Sequence, residues 1–250
     1  MKIKLCEQYS FLRLLSLKEE LSVLPNVKPG ILRGRPIVRL YYKNNRGRLT
    51  YKTYSEENDE GERYFRIAAR RAEIKDEIAS IESALGKSLF GKLSRFSVKT
   101  GGSILNEELW NTAGNDENPI EKRGSYYHNG IQMRSRTEVL VAEILDELGL
   151  QYKYEPAIKF DSEVFYPDFL VYIEGLKRCL IIEFYGKSDD EGYLYKNVHK
   201  MSVYANCGLI MYRDVLGLYG TKETMVSNTF VYNSVVTVIN QLALEALVLE

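Results

Sequence analysis

Two carboxylates, each placed at the end of an apolar, strand-like run, constrain this chain more than any other feature. Asp168 comes directly before the run 169–173, and Glu183 comes directly after the run 180–182. Burying a charge is costly unless the charge is paired or binds a metal. Carboxylates at the ends of two neighbouring strands therefore predict an oxygen site for a hard cation such as Mg²⁺, or Mn²⁺ in its place.

The distribution of charge is more informative than its total. The 250-residue chain has 34 Lys and Arg residues against 34 Asp and Glu residues, so its net charge indicates no class of partner. The stretch 21–55 nevertheless lacks any acidic residue. Its basic residues are Lys28, Arg33, Arg35, Arg39, Lys43, Arg46, Arg48 and Lys52. Such a block predicts either a phosphate-binding surface, with Arg46 and Arg48 at its turn, or a solvated hairpin.

Cysteine and histidine usage excludes several kinds of site. The three cysteines, Cys6, Cys179 and Cys207, are far apart and indicate neither a disulfide framework nor a zinc site. His128 and His199 are the only histidines, which argues against a histidine-based metal site or triad. The chain start lacks the apolar core of a signal peptide, and no run reaches the roughly 18 apolar residues of a membrane helix. We therefore expect a cytoplasmic protein with reduced thiols and no membrane partner.

The first 98 residues predict an N-terminal α+β region. Leucines at roughly helical spacing predict a helix over residues 5–24, ended by Pro25 and Pro29-Gly30. Two β-branched and aromatic runs, 36–42 and 48–54, flank a turn signal and predict a β-hairpin.

A long helix with a heptad-like apolar seam is predicted over residues 56–89. Antiparallel packing against the first helix would bury this seam, and so would a homodimer or other protein contact. The N-terminal region is therefore a candidate surface for DNA or a protein partner.

Residues 99–130 are rich in turn-forming residues and predict a connector, with Trp110 as an anchor against a domain. Residues 131–250 predict an α/β domain built around one sheet. Its predicted elements are a helix at 137–148, strands at 152–160, 165–173 and 178–185, a helix at 193–206, a strand at 209–212 and a helix at 231–249.

A third carboxylate, Glu138, stands near the start of the helix at 137–148. Ser135 and Glu138 also match a capping box, in which the two side chains satisfy the first backbone N–H groups of the helix. Arg134 and Arg136 flank the same helix start, where they would either bind phosphate or face solvent. Asp168, taken alone, could equally be a turn residue at the start of a strand.

Taken together, these residues resemble the PD-(D/E)xK nuclease superfamily over roughly residues 133–212. Residues 133–138 look like its first-helix motif, Tyr166-Pro167-Asp168 looks like the PD element, and residues 181–186 look like the (D/E)xK element. Lys200 and Tyr204 lie where some members carry a glutamine and a tyrosine four residues apart. The resemblance implies a restriction-endonuclease-like αβββαβ core and metal-dependent cleavage of DNA.

The resemblance also implies roles for individual residues. Asp168, Glu183 and the backbone carbonyl of Phe184 would hold the metal, and Glu138 would complete its shell directly or through water. Tyr204 joins the arginines as a candidate nucleic-acid contact.

The chain departs from the family pattern at one catalytic position, because Tyr185 stands where the family lysine is expected. Lys200 on the following helix could replace that lysine, and so could Lys187, which is also a candidate nucleic-acid contact. A bacterial and phage subgroup carries glutamate, usually histidine, any residue and glycine at this motif, but Phe184 replaces the histidine here. The sequence thus predicts a Mg²⁺-dependent endonuclease or exonuclease, or else an inactive nuclease fold that binds nucleic acid or a protein.

Overall fold

The computed structural model of the chain describes residues 2, 4–86, 96–98, 103–122, 124–160, 163–186, 191–220 and 226–249. The chain divides into two compact units. The N-terminal unit is Ser10–Ser94, and the C-terminal unit combines Met1–Tyr9 with Arg95–Glu250. Both units mix helices and strands, which confirms the predicted α/β class. None of the described helices combines the length and the apolar character needed to cross a membrane.

Two helices and a three-stranded sheet make up the N-terminal unit. Their bounds are α1 Glu7–Val23, β1 Val27–Leu32, β2 Arg35–Lys43, β3 Leu49–Tyr54 and α2 Asp59–Leu85. The strands are antiparallel in the order β1-β2-β3, so the predicted hairpin is confirmed and gains a third strand. The sequence prediction missed β1 because Pro29 and Gly30 read as helix-ending residues. Pro29 fits there because β1 is an edge strand, where a missing N–H is tolerated.

The apolar seam of α2 faces the interior of the N-terminal unit, where Ile74 is fully buried. Arg13 of α1 pairs with Glu77 of α2 at 2.7 Å, and Glu20 of α1 pairs with Arg70 of α2 at 2.7 Å. Because the partner number falls as the position along α1 rises, the two helices are antiparallel. Antiparallel packing is therefore the arrangement that buries the seam within this unit.

The C-terminal unit is built around a four-stranded sheet. Its elements are β4 Phe96–Val98, α3 Glu107–Thr112, β5 Tyr126–His128, β6 Ile131–Met133, α4 Arg136–Glu147, β7 Gln151–Tyr154, β8 Ile158–Phe160, β9 Glu163–Phe165, β10 Phe169–Ile173, β11 Arg178–Tyr185, α5 Glu191–Asn206, β12 Val215–Tyr219, α6 Asn228–Ala246 and β13 Leu247–Leu249. A short 3₁₀ helix, Glu174–Leu176, joins β10 to β11. The sheet order is β12-β11-β10-β7, with β11 antiparallel to β10 and parallel to β12.

Helices cover both faces of this sheet. On one face, α3 and α5 pack on the apolar side chains of β10, β11 and β12. This layer includes Leu109, Trp110, Leu170, Ile181, Tyr204 and Val215. Because neighbouring strand residues point to opposite faces, Tyr154, Phe169 and Ile182 line the other face, where α4 packs on β7 and contacts α6.

Two of the strands predicted from the sequence are longer than the strands that the structure shows. The run 152–160 is interrupted after β7, and the run 165–173 is interrupted before β10. Pro156 and Pro167 lie in these interruptions and cannot donate a ladder hydrogen bond. The intervening strands β8 and β9 pair with each other as a separate hairpin.

The strand predicted at residues 209–212 is wrong, because the strand that joins the sheet is Val215–Tyr219. The chain instead turns at this point, with Tyr212 in the left-handed region at a φ of 63°. Asp214 stabilises the turn, since it accepts a hydrogen bond from the Ile210 N–H at 2.9 Å and pairs with Arg178.

The predicted connector at residues 99–130 is more structured than its composition suggested. It contains α3, and Leu105 just before this helix is fully buried in the core. The Trp110 ring stacks on Tyr172 of β10 at 5.3 Å with an interplanar angle of 12°. The prediction that Trp110 anchors this segment is therefore confirmed.

Candidate functional site

Three carboxylate-bearing residues meet at one end of the C-terminal sheet. Phe169 pairs with Tyr154 of β7 on one side and with Ile182 of β11 on the other. Asp168 is the residue before Phe169, and by the same antiparallel register it lies between Glu155, which follows Tyr154, and Glu183, which follows Ile182. The Glu155 N–H donates to the Asp168 carbonyl at 3.1 Å, which carries the β7–β10 pairing to this point.

Glu183 is the centre of the site. It is only 3% exposed, and its Oε1 lies 2.6 Å from both the Tyr204 hydroxyl and Lys200 Nζ. Residues four apart on a helix share one face, which explains how Lys200 and Tyr204 of α5 reach the same oxygen. Lys200 Nζ also donates to the Tyr166 carbonyl at 3.1 Å, so the ammonium group is held beside the segment that leads into Asp168.

Asp168 faces the same cluster from the start of β10. Its Oδ2 accepts a hydrogen bond from the Phe184 N–H at 2.6 Å. Burial raises the pKa of Asp168 well above its usual range, and the negative charges of Glu183 and Glu138 raise it further. The nearby Lys200 ammonium and the Phe184 N–H act in the opposite direction. The pKa of Asp168 is thus raised because its surroundings only partly compensate a negative charge at this position.

Glu138 on α4 is buried and fully hydrogen-bonded. Its carboxylate accepts from the Arg134 N–H at 2.8 Å, the Tyr154 hydroxyl at 2.7 Å and the Ser135 hydroxyl at 3.0 Å. Burial raises the pKa of Glu138, while these hydrogen bonds oppose the increase. The Ser135 hydroxyl also caps the helix by accepting from the Glu138 N–H. Glu138 therefore takes part in the helix cap, and its negative charge also acts on Asp168.

Glu155 is a buried carboxylate that the sequence analysis missed. It is 3% exposed, and its Oε1 accepts from Arg134 Nε at 2.6 Å and from Asn118 Nδ2 at 2.7 Å. Its φ of 41° takes the chain out of strand geometry directly before Pro156. A glutamate followed by proline inside an otherwise continuous strand pattern was the available signal.

Tyr185, which stands where the resemblance would place a lysine, belongs to the core. It is 2% exposed, and its ring stacks on Tyr219 of β12 at 4.9 Å. A lysine there would have to bury its ammonium in this aromatic stack, at a large desolvation cost. Lys187, the other candidate for the missing lysine, lies outside the described residues.

Two of the predicted nucleic-acid contacts serve inside the protein instead. Tyr204 is 1% exposed and uses its hydroxyl on Glu183, so its ring is closed to a stacking base. The Arg134 guanidinium donates to Glu155 and to the carbonyls of two residues in the 115–122 segment, so it positions protein groups. The predicted contacts Arg136, Arg46 and Arg48 are exposed.

The oxygen atoms at the sheet end suit a cation held by few protein ligands. Among the described residues, no group of three or more Asp, Glu, His or Cys side chains is arranged to hold a metal ion. Asp168 Oδ1 and Glu183 Oε2, however, accept no hydrogen bond from the described part of the chain. The Phe184 N–H points toward Asp168, and the carbonyl of a strand residue faces the same side as its N–H. Two carboxylates and one carbonyl match Mg²⁺, which keeps most of its waters.

Comparisons with protein-family models, with curated proteins and with solved structures find no match to this chain. The site is therefore interpreted from its own geometry and from the resemblance of its motifs.

Proposed function

We propose that this protein is a metal-dependent nuclease that hydrolyses phosphodiester bonds in DNA. One observation carries the proposal: Lys200, four residues before Tyr204, lies 2.6 Å from Glu183, which neighbours Asp168 at the end of the sheet. A pair of neighbouring carboxylates with a lysine beside it suits metal-assisted phosphodiester hydrolysis. The lysine missing at position 185 is thereby supplied from the next helix.

The proposed fold is a restriction-endonuclease-like αβββαβ core. In this assignment α4 is the first helix, β7, β10 and β11 are the antiparallel strands, α5 is the crossover helix and β12 is the final parallel strand. The order of these elements along the chain and the sheet order β12-β11-β10-β7 support it. The β8–β9 hairpin is then an insertion between the first two strands.

In the mechanism, the chain's own residues bind the cation and position the water. Asp168, Glu183 and the Phe184 carbonyl would hold Mg²⁺ or Mn²⁺, and Glu138 would support the shell through its effect on Asp168. When bound, the ion supplies Lewis-acid polarisation of the phosphate and a more acidic water. Tyr204 and the Phe184 N–H fix the orientation of the two carboxylates, and the Lys200 ammonium orients the attacking water.

Cleavage assays with matched variants test the proposal. Supercoiled plasmid and end-labelled linear duplex would be incubated with the full chain and Mg²⁺ or Mn²⁺, which also separates nicking from end-degradation. Asp168→Asn and Glu183→Gln each remove a metal ligand, so we expect activity to fall roughly 100-fold or more. Glu143→Gln is the control, because Glu143 is exposed on α4. Unchanged cleavage by both site variants would refute the assignment.

Substitution of individual lysines tests whether Lys200 orients the attacking water. Lys200→Met should abolish cleavage, whereas Lys159→Met, on an exposed strand position, should leave it unchanged. If Lys200→Met stays fully active, Lys187→Met becomes the variant to examine, and Lys200 is a structural partner of Glu183 alone.

An inactive nuclease fold is the second candidate, and one feature favours it. Glu138 is satisfied by three protein donors and Glu183 by Lys200 and Tyr204, so two of the three carboxylates are compensated without an ion. Such a module binds DNA or a protein partner without cutting. Tight DNA binding together with no cleavage under any divalent ion would favour it over the enzyme.

A further inference from the structure

The outer face of the N-terminal sheet carries an ordered set of cations and aromatic rings. In the pairing of β1, β2 and β3, Lys28 is opposite Arg39, Tyr41 is opposite Tyr51, and Lys43 is opposite Leu49. Because side chains alternate between the two faces of a strand, these residues share one face. The other face holds Val27, Val38 and Tyr54, which pack against α2.

The cations on this face are held against the rings. Lys28 Nζ lies 5.3 Å from the centre of the Tyr41 ring, and Arg39 Cζ lies 5.6 Å from the centre of the Tyr51 ring. The two rings are themselves 5.6 Å apart. Gly30 of β1 leaves room for this arrangement, since a Cβ there would lie 3.3 Å from Arg39 Nη1. Cation–π contacts of this kind limit the freedom of the charged groups before any ligand binds.

The charged residues of the three strands are all basic, and several side chains on this face reach solvent. Tyr51 is 53% exposed, and Lys28 and Lys43 are exposed. The stretch 21–55 that builds the sheet has no acidic residue. The three strands therefore supply donors for an anionic ligand and no carboxylate, while Glu57, which follows β3, pairs with Arg35 at the start of β2 at 3.2 Å.

We propose that this sheet face binds single-stranded nucleic acid. The charge complementarity selects a polyanion, and the rings distinguish a nucleic acid from other polyanions. Bases that are not paired present a flat surface that stacks on tyrosine or on the arginine plane. Lys28, Arg39 and Lys43 pair with the phosphates of the same strand, and Tyr41 and Tyr51 take the bases. A duplex keeps its bases stacked and offers this face only its phosphates.

Anisotropy measurements without divalent ions test the binding face separately from any cleavage. The full chain carrying Asp168→Asn would be titrated into a fluorescein-labelled oligothymidylate of about 20 nucleotides, a duplex of equal length and a poly-glutamate peptide. We expect the single strand to bind best. Tyr51→Leu should weaken that binding roughly tenfold, as expected for the loss of one stacked base. Tyr127→Leu in the C-terminal unit is the control, since Tyr127 is 61% exposed.

Salt dependence separates the roles of the cations and the rings. The combined variant Lys28→Gln, Arg39→Gln and Lys43→Gln should lower the slope of log Kd against log salt by about 2, because each phosphate contact contributes about 0.7. Tyr51→Leu should leave the slope unchanged. Circular dichroism melts would verify that the variants fold.

Three results would overturn the proposal. Absence of oligothymidylate binding at low salt would do so, and so would binding that neither Tyr51→Leu nor Tyr41→Leu weakens. Equal or tighter binding of the duplex or of poly-glutamate would show that the face recognises charge alone. A protein that fails to cleave DNA but binds the single strand as described would leave this inference standing and refute only the nuclease.

Discussion

The two units place charge on antiparallel strands in opposite ways. At the end of the C-terminal sheet, Glu155 and Glu183 are each 3% exposed, and each is held by named protein donors. On the outer face of the N-terminal sheet, Lys28 and Lys43 are exposed, so their ammonium groups remain solvated. The first arrangement is costly to the fold, and the second costs it little.

This difference determines what a substitution does in each place. Removing a partner from a buried charge leaves that charge uncompensated, so stability changes strongly. Removing an exposed charge changes stability by no more than a few tenths of a kcal/mol, so only the binding of a ligand reveals its role.

The largest effect is expected for Arg134→Met. Glu155 loses the Nε donor at 2.6 Å and stays buried, with Lys122 Nζ 3.9 Å away as the remaining cation. Breaking a buried pair in this way costs about 3 kcal/mol. Urea unfolding followed by the fluorescence of Trp110, the single tryptophan, would measure the change in the C-terminal unit.

The matched control is Arg136→Met, two residues further along and exposed. We expect it to change the free energy of unfolding by less than about 0.5 kcal/mol. Equal decreases in the free energy of unfolding in the two variants would mean that the buried pair with Glu155 stabilises the fold no more than an exposed arginine does.

A smaller loss is expected for Lys200→Met, which leaves Glu183 with the Tyr204 hydroxyl as its only described hydrogen-bond donor. We expect a decrease of about 2 kcal/mol in the free energy of unfolding. The double variant Lys200→Met with Glu183→Gln should recover most of it, because no buried charge then remains. A double-mutant cycle with a coupling energy near zero would contradict the pairing seen at 2.6 Å.

The two carboxylates at the end of the C-terminal sheet show how much of the candidate site could be predicted from the sequence. Asp168 and Glu183 were identified because a charge beside an apolar strand needs a physical reason, and the structure brings both to one sheet end. Lys200 and Tyr204 could be named from their spacing of four residues. That both converge on one oxygen of Glu183 depends on how α5 packs, which spacing alone does not determine.

What the sequence could not predict depends on interactions between distant residues. Tyr204 was expected to stack on nucleic acid, since an isolated tyrosine gives no sign that its hydroxyl will be bound inside. Glu155 was missed because its partners, Arg134 and Asn118, lie 21 and 37 residues away. The strand at Val215–Tyr219 was misplaced because the turn before it depends on the Arg178–Asp214 pair.

The cations on the outer face of the N-terminal sheet show the converse. Each of Lys28, Arg39 and Lys43 could be found in the sequence, and their lack of acidic neighbours was evident. Their common face became clear only with the β1-β2-β3 register, since a shift of one residue would send them to the α2 side.

A pH-dependent gain in stability is expected for Asp168→Asn. The pKa of Asp168 is raised in the folded protein, so its contribution to stability is full below the unfolded pKa of about 3.9 and is lost as pH rises through the folded pKa. Asn lacks that charge and can still accept from the Phe184 N–H. The variant should therefore be more stable than the parent at pH 8, and the difference should shrink as the pH falls toward 4.

Mg²⁺ binding at Asp168 can be tested with the same variant. If Mg²⁺ binds at Asp168, it should raise the Tm of the parent protein and leave that of Asp168→Asn unchanged. Chelation should then restore the difference. If Asp168→Asn is less stable than its parent at pH 8, the contacts of the Asp168 side chain stabilise the fold by more than its charge destabilises it.

The smallest effect on stability is expected for Arg39→Gln on the outer face of the N-terminal sheet. Its guanidinium rests on the Tyr51 ring at 5.6 Å and forms no ion pair with a described residue, so the free energy of unfolding should change by less than about 0.5 kcal/mol. Binding of oligothymidylate should fall in the same variant, because one phosphate contact is lost. Circular dichroism melts paired with anisotropy titrations would measure both quantities. A stability loss comparable to that of Arg134→Met would mean that Arg39 is a structural residue, and the contrast between buried and exposed charge would then fail at this position.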